Sequence, residues 1–159
     1  MSRSETRIVL VEDSIALRDG LRRMLSEIPN LIVSGEFAAA DDAIKGISRI
    51  HPDVVILDIG LSRGSGLAVL RYLNAAHPGC KSFVFSNRVD DEYRRRATHF
   101  GASHVFDKTT DSERLFDTVA ALALAHSISE KPALAENIRT QKSLPVFLPN
   151  SVFGASPCS

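Results

Sequence analysis

Five short apolar runs, separated by segments of helical periodicity, limit the folds that are open to this chain. The runs lie at residues 7–11, 31–33, 54–57, 82–85 and 104–106. Between them, apolar side chains recur three or four positions apart, as Leu17, Leu21 and Leu25 do, which is the spacing of one helix face. Regular alternation of strands and helices is typical of a parallel sheet with helices on both faces. We therefore predict an α/β fold of five strands and five helices, in which Ser14 caps the first helix and Asp111 the last.

The run at residues 54–57 is followed directly by a carboxylate, Asp58. The run is rich in β-branched residues, as expected of a buried strand in the middle of a parallel sheet. Ligands of open α/β sheets bind beyond the carboxyl ends of the strands. Asp58 is therefore a candidate for chemistry, although an aspartate at this point can equally begin a turn or cap a helix.

Polar residues also end three other predicted strands: Glu12 and Asp13 the first, Ser86 the fourth and Lys108 the fifth. A parallel sheet would bring them to the same edge as Asp58. Three crowded carboxylates disfavour each other's ionisation, and Mg²⁺, which takes oxygen ligands, relieves that repulsion. A lysine and a hydroxyl beside them suit phosphoryl transfer to an aspartate. Each residue also has a structural alternative: helix-start charges for the acid pair, a surface lysine and a turn serine.

Composition excludes several classes of protein. Apolar residues make up 44% of the 159-residue chain and the formal net charge is zero, so wholesale disorder is excluded and charge favours neither nucleic acid nor an anionic membrane as partner. The apolar run at 119–125 is shorter than the roughly 20 residues of a membrane span. The start is polar, and the two cysteines, Cys80 and Cys158, form no metal or disulfide pattern. We expect a cytoplasmic protein with no membrane partner.

The pattern changes after His126. Residues 127–159 contain four prolines and do not continue the alternation of strands and helices. We expect a folded domain at 1–126 and a Pro-containing, flexible C-terminal tail at 127–159 that is too short for an output domain.

The strand-end motifs resemble those of the receiver domain of two-component response regulators, from about Arg7 to His126. The motifs are VLVED at 9–13, DVVILDI at 53–59, FSN at 85–87, and GA at 101–102 followed by FDK at 106–108. The resemblance implies a flavodoxin-like (βα)5 fold, doubly wound, with strand order 2-1-3-4-5. It also implies that Asp58 accepts a phosphoryl group from a sensor histidine kinase or a histidine phosphotransfer protein.

The resemblance further implies a role for each site residue. Glu12, Asp13 and Asp58 would hold Mg²⁺ together with the main-chain carbonyl of Gly60. The Ser86 hydroxyl and the Lys108 ammonium would contact the phosphoryl oxygens.

Three positions depart from the family pattern. Ser62 stands in the region where a proline is usual, inside a Gly-rich loop. Lys108 is followed by Thr109 and not by proline, so a cis peptide bond is not expected there. Val105 occupies the position of the usual switch aromatic, and its neighbour Phe106 would point to the opposite face of the sheet.

The principal hypothesis is a stand-alone, single-domain response regulator of a phosphorelay. It would signal through protein contacts with an unidentified target, carry no DNA-binding domain and turn over no substrate. Phosphorylation would bias the segment from Asp90 to about Leu124, in which the arginines at 94–96 form either a solvated helix face or part of a docking face.

Two alternatives stay open. One is a binding module of the same fold that does not depend on phosphorylation, suggested by Val105. The other is a Mg²⁺-dependent phosphohydrolase, but enzymes of the haloacid dehalogenase class carry a second aspartate where this chain has Gly60.

Overall fold

The computed structural model describes residues 5–129, in which five strands and five helices alternate. In chain order they are β1 (Thr6–Val11), α1 (Ile15–Leu25), β2 (Leu31–Phe37), α2 (Ala40–Ile50), β3 (Val54–Leu57), α3 (Gly66–Ala76), β4 (Lys81–Ser86), α4 (Asp91–His99), β5 (His104–Asp107) and α5 (Ser112–Ser129). The predicted number and order of elements are confirmed.

The strands form one parallel sheet in the order β2-β1-β3-β4-β5. This is the flavodoxin-like topology that the resemblance implied. β3 pairs with β1 on one side and with β4 on the other, and all four of its residues are buried. The strand that precedes Asp58 is therefore central, as its apolar composition predicted.

Helices cover both faces of the sheet. Helices α2, α3 and α4 pack over one apolar cluster, and α1 and α5 pack over the other. Successive strand residues point to opposite faces. Val105 accordingly lies in the first cluster and Phe106 in the second, which confirms that Phe106 does not replace an aromatic at position 105.

The second strand is longer than predicted. It runs through Gly35 to Phe37, and its register against β1 shifts between Ile8 and Val9. A Cβ at Gly35 would lie 2.6 Å from the Ile50 Cδ1. Gly35 thus lies beside an irregularity within the strand, where a neighbouring side chain approaches the backbone closely.

The residues predicted to cap α1 and α5 each precede their helix, but their side chains make different contacts. Ser14 caps α1, because its hydroxyl accepts a hydrogen bond from the Leu17 amide at 3.4 Å, as predicted. Asp111 stands directly before α5, and its carbonyl accepts a hydrogen bond from the Leu115 amide at 2.8 Å. Its side chain accepts from the Asp107 amide at 2.9 Å and so closes the turn after β5.

Helix α5 continues to Ser129, three residues past the predicted domain boundary at His126. Leu115, Val119 and Ala123 form its buried stripe at four-residue spacing. The rest of the predicted tail, residues 130–159, lies outside the described residues.

Arginines reach the edge strand β5 from both faces of the sheet. Arg94 of α4 and Arg114 of α5 each donate a hydrogen bond to the Val105 carbonyl, at 3.2 and 3.3 Å. Arg94 is therefore not part of a fully solvated face, whereas Arg95 and Arg96 are exposed.

Within residues 5–129, no helix combines the length and the apolar character that crossing a membrane requires. No peptide bond in this described part is cis, in agreement with the expectation for Lys108 and Thr109.

Candidate functional site

The ends of two neighbouring strands bring three carboxylates together. Glu12 and Asp13 follow β1, and Asp58 follows β3, whose Leu57 is in register with Val11. One carboxylate oxygen from each acid lies within 4.8 Å of the other two. Glu12 is 3% exposed and Asp58 9%, so two of these acids are largely removed from water.

Backbone amides fix the two buried carboxylates. The Ser14 amide donates to Glu12 Oε1 at 3.0 Å, and the Gly60 amide donates to Asp58 Oδ1 at 2.9 Å. The second oxygen of each carboxylate therefore remains to face the centre of the site. The predicted metal contact of Gly60 through its carbonyl stays a prediction.

Ser62 holds the third carboxylate. Its amide donates to Asp13 Oδ2 at 2.9 Å, and this bond is the main reason why the pKa of Asp13 lies below its ordinary value of 3.8. Proline has no amide hydrogen and could not make this contact. The departure at Ser62 thus supplies a hydrogen bond that ties the loop after β3 to the end of β1.

Lys108 reaches the carboxylates from the end of β5. Its Nζ lies 2.5 Å from Glu12 Oε2 and 2.7 Å from Asp58 Oδ2, and its side chain is 5% exposed. Burial alone would lower the pKa of Lys108, but the hydrogen bonds to Asp58 and Glu12 outweigh it, so the pKa lies above 10.5. The lysine is therefore a buried cation and not a surface residue.

The same surroundings that keep Lys108 charged favour the neutral, protonated form of Glu12. Burial raises its pKa above the ordinary 4.5, and the hydrogen bonds from Lys108 and Ser14 offset this only in part. The site thus holds more negative charge than one lysine balances. Its donor atoms are all carboxylate oxygens, a set that fits a hard divalent cation such as Mg²⁺.

Ser86 ends β4 and is also buried, but it bonds to a residue that the sequence did not single out. Its Oγ lies 3.1 Å from the hydroxyl of Tyr93 in α4, and 3.4 Å from the Arg88 amide. A tyrosine inside a helical segment carries no positional signal comparable to a polar residue at a strand end. The only hint was its place in the first turn of a helix that begins near the site.

A cavity of about 400 Å³ is lined by both Asp58 and Ser86. Its other lining residues include Gly60, Arg88 and Tyr93. Of the predicted residues, Glu12, Asp13 and Asp58 form the carboxylate cluster, Lys108 contacts Glu12 and Asp58, and Ser86 lines the same cavity as Asp58. The space can admit a small tetrahedral group next to the Asp58 carboxylate and the Ser86 hydroxyl, and Lys108 contacts that carboxylate.

Comparison with known proteins gives a consistent result. Residues 8–120 match the family described as "Response regulator receiver domain". The chain is 30% identical over 142 residues to the transcriptional regulatory protein BtsR of Escherichia coli, covering 87% of this chain and 57% of that protein. It is 26% identical over 123 residues to the transcriptional regulatory protein DegU of Brevibacillus brevis, covering 77% and 52%. The chain thus spans about half the length of these relatives.

Solved structures show the same fold. A two-component response regulator of the LuxR family from Aurantimonas aligns with a TM-score of 0.70 and 25% identity, over 81% of this chain and 99% of that one. A DNA-binding response regulator of the LuxR family from Staphylococcus aureus aligns with a TM-score of 0.68 and 24% identity, over 74% and 98%.

These relatives correct the prediction of partners. We expected a sensor kinase or phosphotransfer protein upstream, an unidentified protein target downstream and no DNA-binding domain. That prediction is wrong in excluding a DNA-binding domain, because the relatives are named as transcriptional regulators and one solved neighbour as a DNA-binding regulator. Since the chain spans only about half of the curated relatives, its partners are open.

Proposed function

Because this chain belongs to the receiver-domain family of response regulators, we propose that Asp58 accepts a phosphoryl group from a phosphohistidine donor in a phosphorelay. One observation carries the proposal: the Asp58 carboxylate, held by the Gly60 amide and by Lys108, borders a cavity that Ser86 also lines. An aspartate in this setting is oriented, partly desolvated and open on one side to a donor.

The transfer is a substitution at phosphorus. A carboxylate oxygen of Asp58 forms the new P–O bond while the P–N bond of the phosphohistidine breaks and its electron pair returns to the imidazole. Lys108 lies 2.7 Å from Asp58 Oδ2 and provides positive charge for the incoming phosphoryl oxygens. Ser86, which lines the same cavity, provides a hydroxyl donor.

The charge of the carboxylate cluster supports a magnesium site. Glu12, Asp13 and Asp58, with the Gly60 carbonyl, are the residues that would hold the ion. When bound, Mg²⁺ would neutralise charge on the phosphoryl oxygens and on the carboxylates.

The first experiment is the intact mass of the protein after incubation with acetyl phosphate and Mg²⁺. We expect one phosphoryl addition of about 80 Da on the native chain and none on Asp58→Asn. Asp41→Asn, which changes an exposed aspartate of α2, is the matched control and should gain the same mass as the native chain. Labelling retained by Asp58→Asn would contradict the assignment.

We also propose that the chain phosphorylates only itself and turns over no separate substrate. Position 60, two residues after Asp58, carries a glycine whose amide donates to Asp58, so it supplies no acid for a leaving group. Steady release of inorganic phosphate from a phosphomonoester, at a rate dependent on Asp58, would contradict this.

A further inference from the structure

The Ser86 hydroxyl is oriented by two donors. A serine hydroxyl offers one hydrogen and two acceptor positions. At Ser86 the Tyr93 hydroxyl lies 3.1 Å from Oγ and the Arg88 amide 3.4 Å, and both donate to it. With both acceptor positions used, the only hydrogen-bonding capacity left to Ser86 is its own hydrogen.

We propose that Tyr93 is a positioning residue for phosphoryl acceptance, which fixes the Ser86 hydroxyl as a hydrogen-bond donor toward the phosphoryl group on Asp58. The inference rests on the proposed function of Asp58, and goes beyond it by assigning a role to a residue of α4. Tyr93 acts through Ser86 and does not itself need to touch the phosphoryl oxygens.

The surroundings of Tyr93 suit a fixed donor. Its backbone amide donates to the Asp90 side chain at 2.8 Å, which caps α4, so the residue that holds Ser86 is itself held in the first helical turn. Its ring packs against the apolar cluster that contains Val105. Burial raises the pKa of the Tyr93 phenol above its ordinary value of 10, although the hydrogen bond to Ser86 lowers it in part, so the phenol keeps its proton at neutral pH.

The contact between Tyr93 and Ser86 matters because β5 carries Val105 at the position of the usual switch aromatic. A valine side chain has no hydroxyl with which to bond Ser86, and its position on β5 is buried in the cluster beneath α4. The aromatic hydroxyl that contacts the phosphorylation site therefore comes from a helix and not from β5. A change at the site would reach α4 directly through the Tyr93 side chain.

A double-mutant cycle tests the role of Tyr93. The readout is the affinity for beryllofluoride with Mg²⁺, a stable mimic of the phosphoryl group, measured on the native chain, Tyr93→Phe, Ser86→Ala and the double variant. Loss of one oriented hydrogen bond should weaken binding about fivefold in Tyr93→Phe. Because Tyr93 acts only through Ser86, the same change should have no further effect in the Ser86→Ala background.

A structural role for Tyr93 would give a different result. If the phenol only stabilised α4, Tyr93→Phe would weaken binding by the same factor with and without the Ser86 hydroxyl, and the proposal would be overturned. Unchanged binding by Tyr93→Phe in the native background would also overturn it. Thermal unfolding of each variant shows that the compared proteins are folded.

The chain offers a matched control. Its other tyrosine, Tyr72, also bonds through its hydroxyl, to the His77 ring at 3.2 Å, but lies on α3 and does not line the cavity. Tyr72→Phe should bind beryllofluoride as the native chain does, and an equal loss would count against the proposal. Failure of the native chain to bind, or binding retained by Asp58→Asn, would instead refute the proposed function.

Discussion

Ionisation of Glu12 lowers the stability of the folded protein, because the carboxylate is buried. Burial raises its pKa above 4.5, and the hydrogen bonds from Lys108 and Ser14 do not fully offset that effect. A carboxyl whose pKa is higher in the folded than in the unfolded chain binds protons more tightly when folded. Its contribution to stability therefore falls as the pH rises from the ordinary glutamate pKa through the raised value.

Replacing Glu12 with Gln removes this pH-dependent contribution. We expect the free energy of unfolding of Glu12→Gln, relative to that of the native chain, to rise as the pH is increased from about 4.5 to 7.5. Urea unfolding at several pH values without divalent cations measures it. Glu27→Gln, which changes an exposed glutamate, controls for the loss of one charge. If the free energy of unfolding of Glu12→Gln, relative to that of the native chain, fell as the pH rose, the prediction would be contradicted.

The sequence predicted the site residues that follow strands and missed those that do not. Glu12, Asp58 and Lys108 could be found because parallel strands carry their carboxyl ends to one edge. Tyr93 and Ser62 could not, since a side chain on a helix and an amide in a loop reach the site only through the packing of the folded chain. The roles of these residues in phosphoryl transfer stay predictions.

At the scale of elements, helices α1 and α2 differ in what their central glycines face. Each helix has 11 residues and one internal glycine. Gly20 in α1 is exposed, and a Cβ there would meet no atom within 4 Å. Gly46 in α2 is buried, and a Cβ there would lie 1.9 Å from the Phe37 Cζ. Gly46 thus lets β2 and α2 approach each other, whereas Gly20 has no packing role.

The same substitution should therefore have opposite effects in the two helices. Gly20→Ala should raise the free energy of unfolding by about 1 kcal/mol, because alanine favours the helix. Gly46→Ala should lower it by about 2 kcal/mol, because the Phe37 ring must move. Urea unfolding monitored by circular dichroism measures both, and each variant serves as the control for the other. If both substitutions raised the free energy of unfolding, the Phe37 ring would have room to move and the prediction for Gly46→Ala would be wrong.

Predictions of strands and helix caps were confirmed where the sequence signal lies within a few residues. The central strand β3 and the cap of α1 at Ser14 agree with the sequence, because an apolar run and a capping serine are signals within a few residues. The continuation of β2 through Gly35 depends on how Ile50 and β1 pack against it, which no local pattern records.

At the scale of the whole molecule, Lys108 connects distant parts of the chain. Its two carboxylate partners, Glu12 and Asp58, are 96 and 50 residues away in sequence. The lysine thus links the end of the edge strand β5 to the ends of β1 and β3. It also supplies the positive charge that makes the burial of two acids tolerable.

Removal of this cation should weaken the whole fold. We expect Lys108→Met to lower the free energy of unfolding by about 3 kcal/mol without divalent cations, because two buried carboxylates lose their partner. Mg²⁺ should stabilise the variant more than the native chain, since a second cation can take over the charge. Thermal unfolding with EDTA and with Mg²⁺ gives both values.

Lys45→Met is the control, because Lys45 is exposed on α2 and makes no described ion pair in residues 5–129. Its stability should match that of the native chain in both buffers. Equal stability of Lys108→Met and the native chain in EDTA would show that the acids do not depend on the lysine.

The two arginines on the Val105 carbonyl have a consequence for self-association. An edge strand normally offers free carbonyls on which another strand can extend the sheet, a route to aggregation. Along β5, the Val105 oxygen already accepts from Arg94 and Arg114, one from each face of the sheet. A strand from a second molecule could use this acceptor only by displacing two charge-assisted hydrogen bonds. The β5 side of the molecule is thereby protected against intermolecular strand addition.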